Sequence, residues 1–411
     1  MTISLPQHAT HPWFDVVDDE LVLGGQKLSE VAARAGQTPF YAYDRSVMTR
    51  KVNELRERLP RGIDLHYAMK ANPMPEVVRH MVSLTDGVDV ASVREMKVAL
   101  AAGAAADHVS LAGPGKTDSE LAAAAAAGIT INVESAREIR VLAAHARASG
   151  RKPRIAIRVN PNFELKTSGM KMGGGPKQFG IDAERVGQVL RDLATEPLEF
   201  CGFHIFSGSQ NLRAESIIEA QQRTLALAVE LAREAHSPVI QLNIGGGFGI
   251  PYFPGESLLD LQPIAAHLQT LLGEAKQRLP QARIIIELGR YLVGESGVYV
   301  CRVIDRKISR GQVFLVTDGG LHHHLAASGN FGQVIRKNYP VVVGKRVQGG
   351  EREVASVVGP LCTPLDLLAD RVEMARAEVG DLIVVLQSGA YGLTASPLGF
   401  LSHPQPAELV V

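Results

Sequence analysis

Cysteine is scarce in this 411-residue chain: Cys201, Cys301 and Cys362 are all it has. They form no Cys-x-x-Cys pair and no zinc spacing, so neither a disulfide framework nor a structural zinc site is expected. A reducing, cytoplasmic setting fits best. An excess of either charge is also missing. The chain carries 43 basic and 43 acidic residues, a formal net charge of +0, so it lacks the basic surplus that holds a phosphate backbone, and nucleic acid is not an expected partner. Long apolar runs are absent too. No stretch approaches the ~18 residues of a membrane span. The alanine-rich run 121–127 is short, follows Asp118 and Glu120, and reads as a buried helix. The residues before Asp15 lack the basic start and apolar core of a signal peptide. No internal repeat stands out. Glycine and proline are plentiful, at 40 and 22 residues, which points to many sharp turns rather than a fibre. With 45% hydrophobic and 21% charged residues the composition is globular, and the length suggests about two or three domains.

The middle of the chain alternates apolar, β-rich runs with helical periods. Strands are expected at 64–70, 87–92, 108–113, 129–135, 154–160, 199–206, 239–246 and 283–289. Helices are expected at 75–84, 93–103, 117–127, 136–149, 182–195, 214–235 and 261–279, with one more at 46–59 ahead of the first strand. Strands bounded by helices imply parallel pairing through crossovers. Eight such units fit an α/β fold of the (β/α)8 TIM-type barrel, with a doubly wound open sheet as the alternative. Beyond residue 296 the helical periods stop and short β-rich runs appear at 298–305, 312–317, 340–347, 352–358 and 381–387. The layout is therefore a barrel over 41–295 and a C-terminal all-β domain over 296–411. The N-terminal segment 1–40, with its DELVLGG and TPFYAYD runs, joins the β domain.

In a barrel the chemistry sits where strands end. The first strand ends in Lys70, whose amine becomes a nucleophile toward carbonyls if desolvated; a lysine snorkelling from the barrel mouth is the plainer alternative. The seventh ends in Gly245-Gly246-Gly247, where backbone N–H groups can form an anion nest, or simply a tight turn. The eighth ends in Glu287-Leu288-Gly289-Arg290. A carboxylate among isoleucines needs a partner, either a protonated heterocyclic nitrogen or Arg290 itself. Gly115-Lys116-Thr117 is not a P-loop, because Ser110 stands where the motif's first glycine belongs. A lysine for an aldehyde, a phosphate cradle and a carboxylate for a ring nitrogen together describe what pyridoxal 5'-phosphate needs.

Tyr67-Ala68-Met69-Lys70-Ala71-Asn72 resembles the Schiff-base motif of the alanine-racemase-fold (fold type III) decarboxylases that use pyridoxal phosphate, the ornithine, arginine and diaminopimelate decarboxylase family. The likeness continues through Asp89-Val90-Ala91-Ser92, Arg158-Val159-Asn160-Pro161, Gly208-Ser209-Gln210, the glycines 245–247, Glu287-x-Gly-Arg290, Cys362 and Ala390-Tyr391. It implies that Lys70 holds the cofactor aldehyde and that Glu287 keeps the pyridine nitrogen protonated. It further implies that Ser209, Gly247, Arg290 and Tyr391 bind the phosphate, with Asp89, Arg158, Phe206, Gly245 and Gly246 also among the cofactor-binding residues. Cys362, supplied by the second subunit of a head-to-tail homodimer, would help protonate the carbanion after CO2 leaves. A racemase and a non-catalytic regulator of the same fold are the alternatives. The cysteine motif argues against the first, and the retained lysine and phosphate ligands argue against the second.

Three departures bear on substrate. Phe206 stands where the family usually has a histidine stacked on the cofactor; it can stack but cannot carry charge. His204, two residues earlier on the same strand face, is a candidate substrate-binding residue or a packed core histidine. Thr363 follows Cys362 where the family commonly has an acid for the substrate's distal ammonium, and Asp366 is the nearest acid in sequence. His322, His323 and His324 replace the arginine-bearing stretch of diaminopimelate decarboxylases. On a strand they would alternate faces, leaving a substrate-facing patch with His323, Asn330 and Arg336 rather than a metal site. These departures resemble a subgroup acting on modified or carrier-bound amino acids, the exosortase-associated type included. A conjugated amino acid is the expected substrate, with an acyl-carrier protein as partner; a free diaminopimelate- or ornithine-type substrate is the alternative.

Overall fold

A computed structural model describes residues 7–10, 12–163, 170–171, 173–333 and 335–411. They divide into two compact units. One runs over Lys51–Gly249 and Leu259–Gly289; the other takes the residues up to Arg50, Ile250–Leu258 and Arg290–Val411.

In the first unit the apolar runs become eight strands: Ile63–Ala68, Gly87–Val90, Val109–Leu111, Thr130–Val133, Arg154–Asn160, Glu199–Ile205, Gln241–Gly246 and Arg283–Leu288. Each pairs in parallel with the next. The last pairs back onto the first, Ile286 opposite Leu65 and Leu288 opposite Tyr67, so the sheet closes and the open doubly wound alternative falls away. Closure leaves no edge strand. The helices between the strands begin where the sequence supplies caps. Ser92, Thr117 and Ser135 accept the N–H of the residue three positions on, each cap being worth ~1 kcal/mol. Pro75 opens the helix Pro75–Val82, where its missing N–H costs nothing. Along the strands apolar residues such as Leu65, Val88, Ile131, Ile157, Phe203 and Leu242 are buried. They alternate with His66, Asp89, Asn132, Arg158, His204 and Asn243, whose polar atoms bond one another or Ser110, Glu134 and Glu287.

In the second unit, strands Val341–Val343, Leu382–Val385, Gly297–Ser309, Gln312–Thr317, Arg352–Val358 and Leu367–Ala375 lie side by side in that order. Phe40–Tyr43 pairs antiparallel with the start of Gly297–Ser309 and parallel with Ala407–Val410. TPFYAYD supplies Phe40–Tyr43 to this sheet, whereas around DELVLGG the strands Asp15–Val17, Glu20–Leu23 and Gln26–Lys27 form their own three-stranded sheet within the same unit. Its Leu21 and Leu23 share a buried cluster with Phe40, Val298 and Val384. Segment Ile250–Leu258 is held in this unit, with Gln387 Nε2 donating to Pro251 O at 3.0 Å and the Tyr252 and Tyr339 rings 4.5 Å apart. Among the described residues no helix is long and apolar enough to cross a membrane.

Candidate active site

In the barrel unit the first strand stops at Ala68, and Lys70 sits in the 3-10 turn Met69–Ala71 rather than on the strand. Its side chain is 47% exposed, and its Nζ lies 3.9 Å from Glu287 Oε1 and 5.8 Å from the Phe206 ring centre. Glu287 ends the eighth strand with only 8% of its side chain exposed. Its Oε2 is 3.1 Å from His204 Nε2 and accepts from Asn243 Nδ2 at 3.4 Å. Burial pushes the Glu287 carboxyl upward, but the hydrogen bond from His204 and the charge of Lys70 outweigh it, so the group stays well below the usual carboxylate range. The structure therefore corrects the assignment of His204 to substrate: its side chain is buried against Glu287.

The glycine run after the seventh strand is dictated by close approach. A Cβ on Gly245 would meet the Phe206 ring at 2.8 Å, one on Gly246 the Glu287 carbonyl oxygen at 2.3 Å, and one on Gly247 the Gly208 carbonyl oxygen at 2.4 Å. Gly245 and Gly247 also have left-handed φ of 68° and 73°, a conformation that turns backbone N–H groups outward. Gly247 O accepts the Asn211 N–H at 2.9 Å, which ties this loop to the one after the sixth strand. In that second loop the Ser209 hydroxyl oxygen is buried with no hydrogen-bond partner among the described residues. A buried hydroxyl normally finds a partner. An orphaned hydroxyl beside a glycine cradle fits a phosphate, and a low carboxylate beside a lysine fits a pyridine nitrogen and an aldehyde. The donor set of the barrel unit thus fits pyridoxal phosphate.

Two polar networks flank these groups. Asp89 Oδ1 accepts the Ser110 hydroxyl and lies 3.4 Å from His66 Nδ1, and Asn132 Nδ2 donates to Ser110 Oγ at 3.1 Å. Arg158 Nη1 donates to Glu134 Oε1 at 2.8 Å, and its guanidinium stands 4.8 Å from the Phe179 ring centre. Glu134 also accepts the N–H groups of Gly113 at 2.6 Å and Gly180 at 3.0 Å, and Lys116 Nζ reaches Glu138 Oε1 at 3.2 Å. Burial lowers the Lys116 amine and raises the Glu138 carboxyl. On Glu134 burial acts upward too, but the charges of Arg158 and Lys116 prevail and its value falls. Lys116, Glu134, Glu138 and Asn243 were missed by sequence reasoning. The available signal was Glu134 and Glu138 four apart at a strand-to-helix junction, together with the lysine of the rejected P-loop.

In the β unit the structure brings Arg290 and Tyr391 together, the guanidinium carbon 4.6 Å from the Tyr391 ring centre, while Arg290 Nη1 donates to Tyr252 OH at 3.1 Å. Burial works against the Arg290 charge, but the hydroxyls of Tyr252, Tyr391 and Tyr339 more than restore it. Cys362 is exposed and Thr363 half-buried on the same turn. Two substrate assignments are corrected here. Asp366 is 3% exposed, with Oδ1 taken by the Leu321 N–H at 2.6 Å and Oδ2 by the Leu361 N–H at 2.8 Å, so it staples two turns together. His323 is fully buried, its Nε2 2.9 Å from Pro404 O and its Nδ1 3.3 Å from Tyr299 OH. The three histidines lie in a turn, not a strand, and all are buried, so alternation of faces does not apply. Asn330 and Arg336 bond to Ser328 and hold the same turn.

Known proteins are similar to this chain along most of its length. The family model described as "Pyridoxal-dependent decarboxylase, pyridoxal binding domain" matches residues 45–294. The L-glutamyl-[BtrI acyl-carrier protein] decarboxylase of Niallia circulans is 39% identical over 380 residues, 91% of this chain and 89% of that protein. The 2-[(L-alanin-3-ylcarbamoyl)methyl]-2-hydroxybutanedioate decarboxylase of Staphylococcus aureus is 30% identical over 391 residues, 92% of this chain and 95% of that protein. The crystal structure of Helicobacter pylori diaminopimelate decarboxylase complexed with L-lysine superposes with a TM-score of 0.82 at 28% identity, covering 93% of this chain and 94% of that one. A closed barrel with lysine, glutamate and glycine cradle at its strand ends, joined to a β unit and matched along most of its length by such enzymes, places this chain in the family of pyridoxal-dependent decarboxylases.

Proposed function

We propose that this decarboxylase acts on a conjugated or carrier-bound amino acid. The observation that carries the reading is the turn 361–366. The neutral Thr363 stands where the resemblance places an acid, and Asp366 has both carboxylate oxygens occupied by backbone N–H groups. A free diamine-type amino acid would lose its ionic partner there, at ~1.5–3 kcal/mol for a charge-assisted hydrogen bond. The names of the Niallia circulans and Staphylococcus aureus relatives, a carrier-bound glutamyl group and an acyl-conjugated alanine, support the same direction.

When bound, pyridoxal phosphate supplies an aldehyde for the amine and an electron-withdrawing ring for the departing CO2. Lys70 would hold the cofactor aldehyde through Nζ and, once released, stand as a free amine beside it. Glu287, ionised between His204 and Lys70, holds the proton of the pyridine nitrogen. Ser209 and the glycines 245–247 hold the phosphate, with Arg290 and Tyr391 assigned to it as well. Phe206 offers an apolar ring face. Asp89 and Arg158 organise the surrounding polar groups, each through its own network. Cys362, contributed by a second copy in a homodimer, delivers the proton that replaces CO2, and an acyl-carrier protein is the partner that presents the substrate. Two measurements test the reading. Purified protein should show the absorption band of lysine-bound cofactor, and Lys70→Ala should abolish it. CO2 release should then favour conjugated over free amino acids; efficient turnover of free diaminopimelate, lysine, ornithine or arginine would sink the substrate proposal.

A further inference from the structure

The sixth barrel strand, Glu199–Ile205, brings two rings to the site, His204 and, just past its end, Phe206. Phe206 can stack but can neither give nor take a proton. His204 can, and strand register sets its place: it lies opposite Arg158 on the fifth strand and Asn243 on the seventh. Its Nε2 stands 3.1 Å from Glu287 Oε2, the oxygen that also receives Asn243, whereas Glu287 Oε1 faces Lys70 at 3.9 Å. The other ring nitrogen, Nδ1, is buried with no hydrogen-bond partner among the described residues. An ionised carboxylate only accepts, so the contact at Nε2 requires the proton there, and a proton at Nδ1 would be buried without an acceptor. The carboxylate is ionised, because His204 and Lys70 hold it below its usual range.

We infer that His204 is a positioning residue for the cofactor ring: its Nε2–H occupies Glu287 Oε2, fixes the orientation of that carboxylate, and leaves Oε1 for the pyridine nitrogen. With Phe206 at the stacking position, the proton chemistry of this strand falls to His204. The tautomer follows from the barrel, which gives one ring nitrogen a carboxylate and the other nothing. The inference rests on pyridoxal phosphate as the resident cofactor.

The test uses full-length holoenzyme carrying 15N-labelled histidine, with the His204 signals assigned by their loss in His204→Gln. Nε2 should carry the ring proton and Nδ1 should be bare. In His204→Leu the dissociation constant for pyridoxal phosphate should rise about tenfold or more, the scale of a lost charge-assisted hydrogen bond. A 15N-labelled pyridine nitrogen should also lose its proton at lower pH in that variant. His204→Gln, which keeps an N–H donor, should restore most of both. A bare Nε2 in wild-type holoenzyme, or a glutamine variant as weak as the leucine one, overturns the inference. If the leucine variant fails to fold, the wild-type resonances decide alone. Wild-type protein that takes up no cofactor would overturn the cofactor assignment itself, a result distinct from either.

Discussion

At the scale of single residues, the site is a set of close approaches that tolerate little addition. Gly246 shows this most directly, since a methyl group there would sit 2.3 Å from the Glu287 carbonyl oxygen and 2.6 Å from Leu288 Cδ2. Backbone of a neighbouring strand cannot swing aside as a side chain can. Gly246→Ala should therefore destabilise the chain by about 1–3 kcal/mol, the usual cost of overpacking, and weaken cofactor binding. Gly273 is the contrast. It lies within the helix Gln262–Arg278 with nothing inside 4 Å of its added Cβ, so Gly273→Ala should stabilise by about 1 kcal/mol through helix propensity alone. Denaturant midpoints of the two variants check the pair; shifts of the same sign would refute the account. Sequence pattern singled out Lys70, Glu287 and the glycines because each lies at or just past the end of an apolar run, even though Lys70 falls in a 3-10 turn beyond its strand. The role of His204 was not visible there, since its partner lies 83 positions away on another strand.

At the scale of elements, the turn holding His322, His323 and His324 makes the β unit sensitive to acid. Burial lowers the three imidazoles to about 3, 4 and 3 respectively, against an ordinary value of 6.5. His324 Nε2 is held by Ser388 Oγ at 2.9 Å, and neither ring nitrogen of His322 has a hydrogen-bond partner among the described residues. In the unfolded chain these groups take up protons once the pH falls below about 6.5, and in the folded chain they do not. A depressed folded value means that stability is fully present above that range and is lost as the pH falls toward 4. Denaturant midpoints should thus drop between pH 7 and pH 5. His324→Gln should flatten that dependence, whatever it does to stability at neutral pH; an unchanged slope would remove the histidines from the explanation. Reading these residues as a strand with a substrate-facing patch failed because strand alternation presumes an extended backbone, and a turn packed under Pro404 and Tyr299 does not supply one.

At the scale of the whole molecule, the proposed reaction needs Cys362 from a second copy. Lys70→Ala and Cys362→Ala homodimers should each be nearly inactive. Mixed and allowed to exchange subunits, they should recover up to about a quarter of wild-type turnover, because half of the dimers are mixed and each mixed dimer has one intact site. Mixtures no more active than their parents, with exchange shown by differential labels, would confine the site to one chain. The chain-level plan was legible because eight apolar runs separated by helical periods leave few topologies. Less visible were the strands Leu367–Ala375 and Ala407–Val410. The first is interrupted by Asp370 and Arg371, the latter with φ 47°, and the second is a short run whose pairing partner lies at Phe40–Tyr43.

What the sequence determined by itself was local. Apolar period, caps and glycines specify strands, helices and the cradle, and the spacing of motifs specifies a cofactor chemistry, because each depends on neighbours within a turn or two of chain. Tertiary structure alone decided which polar groups meet. Closure of the barrel sets Arg158, His204 and Asn243 side by side and turns His204 onto Glu287. Folding of the β unit spends both oxygens of Asp366 on backbone. Buried polar groups must find partners wherever strand register and turns place them, and that placement is not written in any single stretch of chain.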